Sequence, residues 1–252
     1  MLPVAFCVLC VALVTGCAPQ NSPPPPLGQA RPVLRVFPAR ERIQIDGNTA
    51  DWKQVQTLGF TDAGSAPARN SATVGICWDE SYLYVCFIVD DRDLRSLSVE
   101  HDDPSMRDDS VVVLIDTRND RSAGWRTDDV LYQANLRMLP DEEDPSGVRP
   151  RVSDQRGMPG GTGQVWDGHL RAAVTLQGTL NQPDDLDEGY VVEMAIPWYD
   201  LGVSPRAGKT RFGLNLAVYD RDKEAGNYHC FDWLGRAELL QPSGFQEMLL
   251  SE

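Results

Sequence analysis

Short segments of alternating apolar and polar residues, separated by turn residues, recur from residue 41 to residue 250. This feature limits what the chain can fold into. "ERIQID" precedes "GNTADW", and "ATVGICW" and "YLYVCFIVDD" are joined by "DES", which predicts a hairpin turning at Asp79–Ser81. Then follow "SVVVLID", "DVLYQANLRM", "WDGHLRAAVTLQ", "GYVVEMAIPW", "TRFGLNLAVYD", "YHCFDWL" and "FQEMLL". In one of them Tyr190, Val192, Met194 and Ile196 share a face, with Val191, Glu193 and Ala195 on the other. Phe212, Leu214, Leu216 and Val218 alternate in the same way with Gly213, Asn215 and Ala217. Few segments carry a helical period. "PWYDLGVSP" predicts one short turn of helix, stopped by Gly202 and Pro205. Strands at this density predict an all-β, antiparallel fold, and periodicity leaves sandwich and barrel both open.

Two stretches break the pattern and read as loops. Residues 140–164 are rich in Pro, Gly and charge and are expected to be mobile and exposed, while residues 181–189 form a shorter acidic loop. Loops at the end of a sandwich often carry binding residues.

The first stretch, "MLPVAFCVLCVALVTGC", is apolar and uncharged from Met1 to Val14. A membrane span needs roughly 20 apolar residues, so its length fits a secretory signal better. Its exit "VTGC" resembles the lipobox of bacterial lipoproteins, which makes Cys17 the expected lipidation site and residues 1–17 the signal. Residues 18–38 follow as a linker whose Pro23–Pro26 run favours an extended polyproline helix. Such a tether spans roughly 50 Å at about 3 Å per residue. Residues 39–252 form the expected domain, exported and lipid-anchored to the cell envelope at the outer membrane. The formal net charge of -14 excludes nucleic acid as a partner.

Cys77, Cys86 and Cys230 remain within the domain. Cys77 and Cys86 flank the hairpin turn, so a disulfide and a pair of buried thiols are both open. No CxxC marks a zinc framework. Catalysis finds no support either. Glycoside hydrolysis needs two carboxyls roughly 5–9.5 Å apart. Asp109 and Asp116 lie seven residues apart on one extended segment, over about 20 Å, and on opposite faces. No GxSxG, HExxH or P-loop occurs, and His101, His169 and His229 stand apart as surface histidines.

Carboxylates at strand ends fit calcium, which takes six to eight oxygens supplied by loops. "DDRD" (90–93), "DTRND" (116–120) and "TDD" (127–129) offer them, and Asp116, Asn119 and Asp120 are the candidate ligands. Carbohydrate requires aromatic faces for the sugar ring and planar polar groups for its hydroxyls. Trp52, Trp78 and Trp198 sit at element edges and read as structural, whereas Trp125 and Trp233 are freer to meet a ligand. Gln133, Asn135, Glu193 and Asn215 are candidate hydrogen-bonding residues on a sheet face.

The order of "IDGNTADW", "WDESYLYVCFIVDD", "MRDDSVVVLID", "GYVVEMAIPW" and "FGLNLAVYDRD", closed by a late "DW" and "PSGFQEMLL", resembles family 9 carbohydrate-binding modules. The resemblance covers most of residues 40–252. It implies a β-sandwich of the immunoglobulin or jelly-roll kind, a non-catalytic role, structural calcium in some members, and attachment to xylanases or other glycoside hydrolases. It also implies a site in which two tryptophans clamp a terminal sugar. Carried onto this chain, the first tryptophan falls on Met106, an acid on Val112 and an arginine on Gln133; the second clamp position has no aromatic between Trp233 and Pro242. The leading expectation is a non-catalytic domain that binds a polysaccharide or oligosaccharide of the xylan or cellulose type. Two alternatives stand beside it: a structural or envelope-protein-binding domain of the same fold, and a haem-binding relative, which Met106 invites although no CxxCH is present.

Overall fold

The computed structural model describes residues 32–62, 70–97, 108–140, 148–156, 166, 168–182, 184–222, 228–235 and 240–252, with the backbone alone for 138–140, 148–153, 155 and 228. Two sheets face each other as a β-sandwich. One has the order β1 (Leu34–Val36), β12 (Gln246–Leu250), β10 (Arg211–Arg221), β5 (Ser110–Asp116), β6 (Asp129–Pro140) and β7 (Val148–Arg156), with β11 (Tyr228–Asp232) also paired to β10. The other runs β2 (Thr57–Thr61), β3 (Ser71–Trp78), β4 (Tyr82–Asp90), β9 (Gly189–Pro197) and β8 (Arg171–Gln177). Among the described strands, pairing is antiparallel except between β1 and β12, and an isolated parallel bridge links Pro38 and Trp78.

The alternation dictates which side chains meet between the sheets. Val111, Val113 and Ile115 of β5 and Phe212, Leu214, Leu216 and Val218 of β10 face Val85, Phe87, Val192 and Met194 of the other sheet in one continuous core. Two central strands go further. Every residue of β5 and of β9 is buried, so their outer faces are covered as well. Residues 39–55 cover the five-stranded sheet, where Ile43 and Trp52 pack on Cys77, Tyr84, Cys86, Val191 and Ala195. Trp125 and Phe245 cover Val112, Leu114, Leu131 and Ala217 on the seven-stranded sheet.

The hairpin and the helical turn form as expected. Asp79 accepts from the backbone N–H groups of Ser81 and Tyr82 and from the Tyr84 hydroxyl, which fixes the β3–β4 turn. The helix α1 (Trp198–Leu201) ends on Gly202 in the left-handed region. Trp198 stacks on Phe212 with its Nε1 donating to the Asp79 carbonyl, and Trp78 Nε1 donates to the Val36 carbonyl, so both are framework residues.

Three expectations are corrected. The stretch 140–164 is not all loop: β7 runs through it as an edge strand, the place in a sheet that tolerates Pro150. "ERIQID" is not a strand; its backbone is tied by side chains, with Gln44 N donating to Asp51. β1 lies inside the expected linker and pairs with β12, so folded structure begins before residue 39. Cys77 and Cys86 sit opposite Tyr84 and Gly75, offset along the hairpin, and both are free buried thiols. Burial pushes the Cys77 thiol up to about 12.

Glu193 explains the cover over the five-stranded sheet, and its expected role as a sugar contact is corrected. It is fully buried on β9, and its carboxylate accepts from Asp46 N at 2.9 Å, Gly47 N at 2.5 Å and Trp52 Nε1 at 2.6 Å. Burial raises its pKa although all three donors favour the ion. Gly47 has φ +79°, a conformation in which only glycine is at ease, and Gly75 leaves room for the Trp52 ring, which lies 3.0 Å from where a Cβ would stand. "IDGNTADW" is thus a buttress built on one carboxylate. Glu193→Ala leaves three donors without an acceptor; at about 1–3 kcal/mol for each unsatisfied buried group, it should cost about 3 kcal/mol or more in urea unfolding. A solvated glutamate would cost under about 0.5 kcal/mol.

Candidate functional site

Strand register lays out the outer face of the seven-stranded sheet. Asn135, Ser110, Tyr219 and Cys230 form one row across β6, β5, β10 and β11. Gln133, Val112, Ala217 and Asp232 form the next, and Leu131, Leu114 and Asn215 the third. Three of the expected sugar contacts, Gln133, Asn135 and Asn215, therefore share one face within two strands of each other.

All three are buried and already hydrogen-bonded to protein. Gln133 Nε2 donates to Ser110 Oγ at 2.8 Å, and Asn215 Nδ2 donates to Asp232 Oδ2 at 2.8 Å. Asn135 Nδ2 donates to Asp108 at 3.4 Å while its Oδ1 accepts from Arg137 N. Asp108 in turn accepts from Ser96 Oγ and Leu97 N, which holds residues 96–97 against this end of the face. Val112, where the resemblance implies an acid, is the centre of an apolar cluster with Leu114, Leu131 and Ala217.

The structure moves Trp125 out of the expected site. Its ring is 9 % exposed and meets Phe245 edge-on with centroids 6.4 Å apart, so it shields the apolar cluster and presents no open face. The "SAGWRTDD" loop reads as polar in sequence, and only its position over Val112 and Leu114 accounts for the burial. Trp233 is half-buried against the main core. Met106 lies outside the described residues. His169 is exposed but not isolated, since its Nδ1 lies 2.9 Å from Asp200 Oδ1.

At the lower end of the same face the loop after β5 curls back on itself, with Asn119 and Arg121 at positive φ. Asp116 accepts from Arg118 N, Asp120 N and Arg121 N. The fold brings Asp116 and Asp120 together as expected and adds Asp128, with one oxygen from each lying within 4.8 Å of the others. Asp128 was visible in sequence only as part of "TDD", and the turn is what recruits it. Asn119 Oδ1, Asp128 Oδ2 and Asp129 Oδ1 are buried without a hydrogen-bond partner. Burial, reinforced by the charges of Asp116, Asp128 and Asp120, pushes Asp129 up to about 7. An oxygen-only donor set with unsatisfied lone pairs fits a calcium-type cation.

Residues 45–238 match the family described as carbohydrate family 9 binding domain-like. The chain belongs to that family. This family 9 domain is 27% identical over 210 residues to exoglucanase XynX of Acetivibrio thermocellus, covering 82% of this chain and 16% of that protein. It is 27% identical, again over 210 residues, to endo-1,4-beta-xylanase A of Thermoanaerobacterium saccharolyticum, covering 82% of this chain and 15% of the xylanase. The chain thus spans a small part of the length of these curated relatives. Among solved structures, it resembles a family 9 carbohydrate binding module from Caldicellulosiruptor kristjanssonii in complex with cellotriose, with TM-score 0.58 and 21% identity over 86% of this chain and 93% of that one. A putative carbohydrate-binding protein from Bacteroides uniformis gives TM-score 0.63 at 13% identity, covering 87% of this chain and 99% of that one. At these identities the structural likeness shows the fold, a two-sheet sandwich.

In this family 9 domain the centre of that sheet face is filled with apolar side chains. If Trp125 shields that cluster, Trp125→Ala should lower unfolding stability by about 3 kcal/mol or more, as for a buried Trp. A loss below about 0.5 kcal/mol in chemical denaturation would return the ring to the surface.

Proposed function

We propose that this domain binds carbohydrate without transforming it, as the recognition part of an exported, lipid-anchored protein that works on polysaccharide of the xylan or cellulose type. The match of residues 45–238 to the carbohydrate-binding family carries this reading. The exoglucanase and xylanases among its relatives point to the same substrates. So do the neighbouring modules crystallised with cellotriose and with glucose. The contacts proposed are Met106 and the amides of Gln133, Asn135 and Asn215, which share one sheet face. A glycan reaching this face must compete with Ser110, Asp108 and Asp232 for those amides.

A calcium ion held by Asp116, Asp120 and Asp128, with Asn119 Oδ1 available to it, is proposed as a structural partner. It would neutralise the carboxylates and stiffen the loop that carries Trp125. One observation favours a second reading, in which the domain binds an envelope protein and not sugar: Val112 stands where an acid is implied, and the amides already have protein partners.

Titration calorimetry and affinity gels on the chain from residue 18, with cellotriose, xylotriose, glucose, cellulose and xylan, decide between the two. Binding to at least one glycan without release of reducing sugar is expected, and Gln133→Ala should weaken it about tenfold, the loss of one or two hydrogen bonds. Silence toward every glycan, together with retention of the fold by circular dichroism, favours the protein partner.

The anchor is tested separately. Cys17→Ser should move the protein from the membrane fraction to the soluble fraction and abolish labelling by a radioactive fatty acid. Labelling that survives the substitution sinks the assignment.

A further inference from the structure

The short helix after β9 sorts its side chains to opposite sides. Trp198, Asp200 and Leu201 are buried, while Tyr199 between them is 64 % exposed. Among the described side chains, Phe37 and Tyr199 are the only Phe, Tyr or Trp rings that stand openly exposed. Tyr199 is set against a second exposed ring. The His169 imidazole meets it edge-on with centroids 5.0 Å apart, and the His169 side chain is 66 % exposed.

One buried carboxylate holds this imidazole still. Asp200 accepts from the His169 backbone N–H at 2.6 Å, and its other oxygen lies 2.9 Å from His169 Nδ1. The Tyr132 hydroxyl lies 3.4 Å from the same carboxylate, and the Asp200 carbonyl accepts from the Arg156 guanidinium. A ring fixed beforehand loses less entropy on binding than a free exposed side chain. With Nδ1 taken, Nε2 is the ring nitrogen left for a ligand.

Two more residues carry this surface onto the outer face of the five-stranded sheet. Tyr82 pairs with Pro197 and Arg171 with Ala195, which gives both the parity of Tyr84 and Ala195. The roof of residues 39–55 packs over Tyr84 and Ala195, whereas Arg171 at the start of β8 is exposed and Tyr82 is half-buried. Desolvation first, then the nearby Asp200 and Tyr82, raise the pKa of the Tyr199 phenol, so the two tyrosines belong to one patch. The patch offers ring faces for the apolar side of a sugar, and an imidazole and a guanidinium for its hydroxyls. Groups this exposed line no pocket, so a chain can pass across them without ending there.

We propose that Tyr199, His169, Tyr82 and Arg171 form a second carbohydrate-contacting surface, which takes internal units of a polysaccharide of the xylan or cellulose type. A sugar ring stacks on Tyr199, and its hydroxyls meet His169 Nε2 and the Arg171 guanidinium. The inference rests on the carbohydrate-binding reading above, but not on the amides of Gln133, Asn135 and Asn215. Those amides belong to the seven-stranded sheet, and this patch to the end of the five-stranded one. One open patch holds a short sugar weakly. On a polymer, repeated units raise the effective concentration of the next contact.

Affinity gel electrophoresis of the full chain in soluble xylan and in hydroxyethyl cellulose tests the patch, with calorimetry on cellotriose and xylotriose in parallel. Wild type, Tyr199→Ala, Tyr199→Phe, Arg171→Ala and Gln133→Ala are compared. Tyr199→Ala should weaken polymer binding about fivefold or more, the loss of one ring contact, while Tyr199→Phe stays within about twofold of wild type. Tyr199 and Arg171 are exposed, so the Tm of each variant should stay within about 2 °C of wild type. Should Tyr199→Ala fold poorly, Arg171→Ala decides by a loss of about threefold or more from missing hydrogen bonds. The proposal is overturned if Tyr199→Ala and Arg171→Ala are both retarded like wild type, or if Tyr199→Phe loses as much as Tyr199→Ala. It is also overturned if sedimentation shows a self-association that Tyr199→Ala abolishes, since a second copy of this chain then occupies the patch. Trisaccharide binding lost in Gln133→Ala, with polymer binding indifferent to Tyr199 and Arg171, leaves the amide site standing without this one. Polymer binding through Tyr199 with no trisaccharide bound leaves this one standing without the amide site. Silence toward every glycan removes both.

Discussion

The central strands β5 and β9 are buried on both faces, and this double burial governs the rest of the molecule. A two-layer sandwich ordinarily offers each sheet one dry face and one wet face. Here both outer faces must be roofed, and the roofing consumes much of the chain between strands. On the five-stranded side the roof is fastened by one carboxylate, Glu193, through three donors. On the seven-stranded side it is fastened by packing, with Trp125 and Phe245 over Val112 and Leu114. A polar anchor fixes its segment's position to within a hydrogen bond, whereas an apolar lid tolerates rearrangement at lower cost. The face with the apolar lid is also the face that carries the amides of Gln133, Asn135 and Asn215.

Double burial also decides where the acids go. A strand such as "SVVVLID" has no wet position along its length, so its carboxylates collect at its two ends. The ends are not equivalent. Asp116 opens into a curled loop whose backbone N–H groups point at it. Asp109 is sealed between the sheets beside Asp91 and Asp220. Spacing along the strand forbade the pair Asp109–Asp116, and the fold assigns each acid to a separate cluster.

Much of the fold was legible because alternation is a local property. β9 and β10, the hairpin at Asp79 and the single helical turn stopped by Gly202 follow from residues within a few positions of each other. β7 was hidden because Pro150 and its charges break the pattern, which an edge strand survives. "ERIQID" misled in the opposite direction, since an alternating segment becomes a strand only if a neighbour is free to pair with it. The site was less legible for a related reason. Gln133, Asn135 and Asn215 could be placed on one face from parity alone. That Trp125 closes over that face, and that Glu193 points into a buttress, depend on contacts between residues far apart in sequence. The grouping of residues 91, 109 and 220 depends on which strands lie side by side.

Valine at position 112, where the family resemblance implies an acid, sets what this face asks of a ligand. An acid there would need a hydroxyl partner or solvent; valine needs neither, and it lets Trp125 and Phe245 settle on the sheet. The neighbouring amides then turn to Ser110, Asp108 and Asp232 for their hydrogen bonds. A sugar that displaced those partners would have to replace bonds already made in a buried setting, so its net gain per hydroxyl would be small. Selectivity would then come from shape at the edge of the lid more than from hydrogen-bond count. Asp108 marks where such an edge contact reaches the frame: it holds Asn135 on one side and residues 96–97 on another, next to Asp109, which accepts from the backbone of Arg95 and Arg221.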